Sequence, residues 1–391
     1  RVLAAALPRS GDGKLRELIL AQLEAADHPA TRDALWELWR QQREPQLEGL
    51  LLRWGREASE NCAYETRLYS SLKLGRTDFA ARISPSRLPR LLEACQDPDP
   101  VVAQAAQTAA SCLSGRQTIR ALCLAWVAER SPRLTAMVRA GKYTAAEPPA
   151  VRVLTHLLQD PAGLQVDAAA VVPLLAALSD PLPEIARRAG YAIRQLQAQD
   201  AIDKLCALWA EQRDPTLDQI LVDGGYTAAA PAELRLLTQL KTGQLGRIGA
   251  SAPKRLPALL TLAQDGDPVI RQNARAVLGG LSRQDSREAL CTLAIADPVP
   301  AGLGAAGQEL AREIAAAAGY RPTDPEKCAR FLFFSGSWEA YETLDFDQRL
   351  MRAIYETGSP ELRQKIARQI QQAGRTNYLA ILAGVDFRSP E

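Results

Sequence analysis

Three stretches of this chain are copies of one another: LCLAWVAERSPRL around Trp126, LCALWAEQRDPTL around Trp209, and the weaker LWELWRQQREPQL around Trp39. The tryptophans are 87 and 83 residues apart, and a degraded fourth copy, LCTLAIADPVPAG, puts Ala294 in the same slot 85 residues beyond Trp209. One structural unit therefore recurs about every 85 residues. Self-similarity at a fixed period restricts the chain to stacked architectures, in which each repeat buries its apolar face against its neighbours.

Each repeat opens with a helical hairpin, read at residues 87–113, 171–196 and 255–281. Apolar residues at i, i+3, i+4 and i+7 in both arms give each arm one buried stripe. The turn between arms is D-x-x-P. Asp97, Asp180 and Asp265 offer acceptors to orphan amides there, and Pro100, Pro183 and Pro268 suit the first turn of the next helix. A third helix carries the tryptophan and ends in R-E-P, R-S-P or R-D-P, where one helix stops and another starts. A fourth ends at G-K-Y or G-G-Y, with Tyr143, Tyr226 and Tyr320 equivalent and glycine expected to supply the left-handed closing residue. Beyond it, Thr144 and Glu147 have capping-box spacing.

The hairpins resemble HEAT repeats. Residues 265–281 carry the match, with Asp265, Ile270 followed by Arg271, Ala274, Leu278 and Leu281; Val102, Ala106 and Leu113, and Ile185, Ala189, Ile193 and Leu196, keep the apolar frame. The arginine after the β-branched residue survives only as Arg271, with Ala103 and Ala186 elsewhere. The resemblance, of bacterial, armadillo-like type, implies an all-α fold: an α-α superhelix, a HEAT-like solenoid of stacked antiparallel helices with a helical C-terminal cap. We expect the solenoid over residues 1–335 in about four units of 83–87 residues, and the cap over 336–391. Shifting the second repeat back by 87 residues sets Val102 on Leu15, so the first repeat lacks most of its opening helix. That truncation suggests a fragment of a longer multidomain protein.

Composition narrows the chemistry. Net charge is +2 with both signs interspersed, which argues against a nucleic-acid groove. No apolar run is long enough to cross a bilayer, so no membrane role is expected. Of seven cysteines, Cys123, Cys206 and Cys291 sit three residues before the Trp slot in successive repeats, as small core residues do. A chain this long needs no disulfide staples, which favours a reducing, cytoplasmic compartment. Only His28 and His156 are available for imidazole chemistry, neither in metal-ligand spacing; His156 aligns with Gln239 in the next repeat. There is no P-loop, dinucleotide fingerprint or nucleophile elbow. Paired carboxylates such as Asp97 with Asp99 recur in turns and read as caps, and the Trp39, Trp126 and Trp209 ladder reads as core. Arg43, Arg130 and Arg213, four residues beyond each tryptophan, complement a helix C-terminus. No catalytic residue, cofactor or metal is therefore expected.

What differs between repeats is the hairpin's second arm, which in HEAT-like stacks lines the concave face. The third repeat carries Arg187, Arg188, Tyr191 and Arg194 where the second has Gln104, Ala105, Thr108 and Ser111. These four are the candidate partner-binding residues, joined by Trp338 from the aromatic stretch Phe331 to Phe346. The expected function is a non-enzymatic scaffold for one or more protein partners within a larger protein or complex. HEAT-like families also include phycobilin lyases, which would need a bilin pocket, and alkyl-purine DNA glycosylases, which would need a basic concave face.

Overall fold

The computed structural model describes residues 13–26, 28–248, 253–300 and 302–383. Within them all regular structure is helical and there is no strand. The chain divides into two compact bodies, Arg1–Gln195 and Leu196–Glu391. The first contains α1 (Gly13–Ala25), α2 (Pro29–Gln42), α3 (Pro45–Trp54), α4 (Tyr64–Lys73), α5 (Asp78–Ala81), α6 (Leu88–Ala94), α7 (Pro100–Ser111), α8 (Arg116–Glu129), α9 (Pro132–Ala140), α10 (Pro149–Gln159), α11 (Ala168–Ala176) and α12 (Pro183–Arg194). The second contains α13 (Gln199–Gln212), α14 (Pro215–Gly224), α15 (Ala232–Lys241), α16 (Leu256–Leu262), α17 (Pro268–Gly279), α18 (Gln284–Ala294), α19 (Gly304–Ala317), α20 (Pro325–Phe334), α21 (Trp338–Leu344), α22 (Arg349–Thr357), α23 (Pro360–Ala373) and α24 (Leu379–Ala383).

Each body is a solenoid-like stack of sequential helix pairs. α6 packs on α7, α11 on α12 and α16 on α17; these are the three hairpins. The second arm of each also packs on the helix before the hairpin, α7 on α4, α12 on α10 and α17 on α15. The apolar frame is buried throughout: Val102 and Ala106, Ile185 and Ala189, and Ile270 and Ala274 are all 0 % exposed. The first repeat departs from this, because Leu15, the counterpart of Val102, is half exposed while Ile19 and Leu23 are buried.

The hairpin turns follow the D-x-x-P signal. The carboxylates of Asp97, Asp180 and Asp265 each accept the amide two residues on, at 2.9 Å. Asp99 then caps α7 and Asp267 caps α17 by accepting two amides each, whereas the third repeat has Leu182 there and no side-chain cap. Trp39, Trp126 and Trp209 are completely buried. Their helices end at Arg43, Arg130 and Arg213, which take left-handed backbone with φ of 53°, 51° and 50° and send the amide back to the tryptophan carbonyl. The next helix begins at once, capped by the Ser131 hydroxyl or the Asp214 carboxylate.

Two local expectations are corrected. In α9 the left-handed residue is Lys142, with φ +52°, and Gly141 is right-handed; Gly225 does take φ +60° after α14. Gly141 and its equivalent Gly224 serve another purpose, because a Cβ there would lie 2.3 Å or 2.2 Å from the ring of Tyr143 or Tyr226. That close approach lets the Tyr143 hydroxyl accept the Leu113 amide and donate to the Ala110 carbonyl, and lets Tyr226 accept the Leu196 amide. The Thr144–Glu147 capping box does not form. α10 starts later, at Pro149, with Pro148 in the cap position and no side-chain cap. Proline's fixed φ and missing donor suit that start without a capping side chain.

From α20 to α24 the packing is aromatic. Phe331, Phe333, Tyr341 and Tyr378 are buried, while Phe346 is 70 % exposed. Among the described residues, no helix is long and apolar enough to cross a membrane.

Candidate functional site

The four candidates on α12 separate into two groups. Arg187, Tyr191 and Arg194 follow i, i+4 and i+7 spacing and are exposed, Tyr191 by 60 %. Arg194 folds back on its own helix, donating to the Gly190 carbonyl at 3.1 Å. Arg188 points the other way, into the stack. Its Nη1 donates to the carbonyls of Leu157 and Leu158 at 2.6 and 2.9 Å, and more weakly to that of Gln159 at 3.4 Å.

Those carbonyls need a donor because α10 has no glycine closure. Gly75 and Gly243, with φ +71° and +72°, let the chain turn back and satisfy the ends of α4 and α15. At the equivalent position Asp160 is extended, φ −142°, and α10 is left open. Arg188 closes it from the neighbouring helix. Asn273, the counterpart of Arg188 on α17, makes the same kind of bond to the Leu240 carbonyl at 2.7 Å. Arg188 thus has a structural occupation, and the exposed trio is what remains available for contact.

Trp338 is half-buried in the aromatic cluster. It stacks on Tyr378, with centroids 5.5 Å apart and planes 26° apart, meets Phe333 edge-on at 5.4 Å, and lies under the Arg375 guanidinium at 5.5 Å. Burial and the adjacent Asp345 carboxylate push the Tyr341 phenol far above its ordinary range, and burial pushes Tyr378 up to about 12. Both are therefore neutral hydrogen-bond donors, to Asp345 and Glu342 respectively.

The recurring acids and bases are occupied with one another. The Arg43, Arg130 and Arg213 guanidiniums lie over their own tryptophan rings at 4.5, 4.6 and 4.7 Å. They also pair with Asp97, Asp180 and Asp265 on the following hairpin turn at 2.5, 2.8 and 3.5 Å. At these helix C-termini the guanidinium's charged partner is the turn aspartate.

A second network was not recognised in the sequence. Lys73, 5 % exposed, bridges Glu48 at 2.6 Å and Asp99 at 2.5 Å, and Lys241 bridges Asp218 and Asp267 at 2.7 and 2.6 Å. The same Glu48 and Asp218 accept the Trp39 and Trp209 indole N–H. Burial alone would lower a lysine's pKa, yet the two carboxylates overcome it and both lysines are raised. Burial likewise opposes Asp99 and Asp267, but the lysine and two backbone amides hold them below the usual carboxylate range. The intervening repeat replaces all three members together, with Thr135, Leu158 and Leu182, and there the Trp126 N–H bonds to the Thr135 hydroxyl at 2.9 Å. That concerted swap was the available signal, visible once the repeats were aligned.

Among the described residues, no group of three or more His, Cys, Asp or Glu could hold a metal ion. Burial pushes Cys123 up to about 11, and Cys206 and Cys291 up to about 12, so all three are inert thiols. The fold defines an all-α repeat protein of stacked helix pairs. Comparison with protein-family models and with curated proteins gave no match for this chain.

Proposed function

We propose that the chain is a HEAT-like α-solenoid of bacterial, cytoplasmic type that works as a non-enzymatic scaffold, holding a protein partner within a larger protein or complex. One observation carries this reading. At equivalent positions of the second arms, all exposed except the half-buried Ser111, the repeats present Gln104, Thr108 and Ser111; then Arg187, Tyr191 and Arg194; then Gln272, Ala276 and Gly279, over a buried frame that stays apolar. Repeat scaffolds acquire specificity by such variation on a constant frame. Arginine and tyrosine are also the residues most often found at the energetic centre of interfaces. The balanced charge supports a protein over a nucleic acid.

The test is affinity capture from native lysate with the wild-type chain and with an Arg187→Ala, Tyr191→Ala, Arg194→Ala variant. Arg188 stays untouched because it holds α10. A partner retained by wild type and weakened about thirtyfold or more in the variant is expected for hot-spot loss. An unchanged partner list overturns the α12 placement, and the absence of any protein partner overturns the scaffold reading.

A further inference from the structure

In three of the four repeats, one carboxylate on the Trp-bearing helix or its degraded counterpart reaches across to the loop that follows the fourth helix. Asp33 accepts the Ser59 amide at 2.6 Å, Asp203 the Ala229 amide at 2.7 Å, and Glu288 the Thr323 amide at 3.2 Å. The second repeat breaks the rule. Its residue in that slot is Arg120, and the equivalent amide, that of Ala146, has no acceptor among the described residues.

Around that amide lies an open cleft of about 690 Å³ lined by Arg116, Arg120, Thr144, Glu147 and His156 as well as Ala146. Arg116 and Arg120 are one turn apart on α8, so their like charges repel. Arg116 also sits in the first turn of the helix, where the macrodipole disfavours a cation. The corresponding residues elsewhere are Gln199 with Asp203 and Gln284 with Glu288, which avoid both costs. Among the described residues lining the cleft, Glu147 alone is acidic, and no ion pair joins it to either arginine. The His156 Nδ1 donates to the Arg152 carbonyl at 2.9 Å, which leaves Nε2 as the ring's free nitrogen. Arg116 and Arg120 are both exposed, and neither makes a hydrogen bond or ion pair among the described residues.

We propose that the cleft is a carboxylate-binding site, in which a ligand's carboxylate takes the place that Asp33, Asp203 and Glu288 fill in the other repeats. It accepts the Ala146 amide hydrogen bond and is held by Arg116 and Arg120. The sibling repeats supply the argument for carboxylate in particular, since the same loop amide donates to that group three times over. This site stands on observations separate from the α12 surface.

Titration calorimetry on the full chain tests it with three probes: citrate, an N-acetylated tetraglutamate peptide, and inorganic phosphate. Citrate binding alone identifies a small organic acid as the source, and binding of the peptide identifies an acidic protein segment. Arg120→Glu should weaken either by about ten- to a hundredfold. It should leave the thermal midpoint unchanged or raised, because the new carboxylate restores the bond its siblings make. The double change Gln199→Arg, Asp203→Arg, which places both arginines in the third repeat, should raise the stoichiometry from one to two. Unaltered binding in Arg120→Glu, tighter binding of phosphate than of both carboxylates, or no binding of citrate or peptide overturns the proposal.

Discussion

Lys73 shows what a single buried charge demands of its neighbours. Removing one member strands the others: Lys73→Leu leaves Glu48 and Asp99 facing each other, a loss of about 2–3 kcal/mol for a partly screened pair. The triple change Glu48→Thr, Lys73→Leu, Asp99→Leu copies Thr135, Leu158 and Leu182, and should recover most of that loss, falling short by about 1 kcal/mol for the missing α7 cap. Urea midpoints of the single and triple variants check this. The pH dependence has a definite sign. The raised Lys73 contributes stability that is complete below the ordinary lysine pKa and lost as pH rises through its raised value. The depressed Asp99 contributes stability present above the ordinary carboxylate range and lost as pH falls through its lowered value. The triple variant should therefore show a smaller fall in midpoint at both extremes than wild type. An isolated lysine in a helix gives no sequence cue to burial, which is why the network was invisible until three positions were seen to change together.

At the scale of elements, the end of α10 is made by another helix. Arg188→Ala should cost about 1–2 kcal/mol by leaving the Leu157 and Leu158 carbonyls without their donor. It should also speed amide exchange in the α10 turn, while Arg187→Ala stays within about 0.5 kcal/mol of wild type. Thermal unfolding and hydrogen exchange read both. Unequal residues in equal slots looked like one patch, but the sequence held the clue that divides them: Asp160 stands where Gly75 and Gly243 close the other helices. The hairpins, the D-x-x-P turns and the abrupt R-x-P junctions were legible because their signals are local and repeated. The missing capping box was not, because Pro148 and Pro149 outweighed a side-chain spacing that suited it equally well.

For the whole molecule, periodicity dictated the all-α stacked architecture, while activity remained outside its reach, since the repeating residues serve the frame. A stack of this kind responds locally to damage. Trp126→Ala, a loss of about 3–5 kcal/mol, should raise hydrogen exchange in α8, α9 and the adjoining α10 while α2 and α3 keep wild-type protection. Uniform loss across the first body would contradict that localisation. The Arg–Asp pairs that join each Trp helix to the following turn close over 54, 50 and 52 residues of chain. The same contact thus forms although the intervening sequence varies in length by four residues. Insertions and deletions in the loops between those anchors can then accumulate without shifting the register of one repeat on the next. A gene that lengthens by duplicating such a segment inherits its alignment rule along with its sequence, and the duplicates are free to diverge everywhere except at the anchor points.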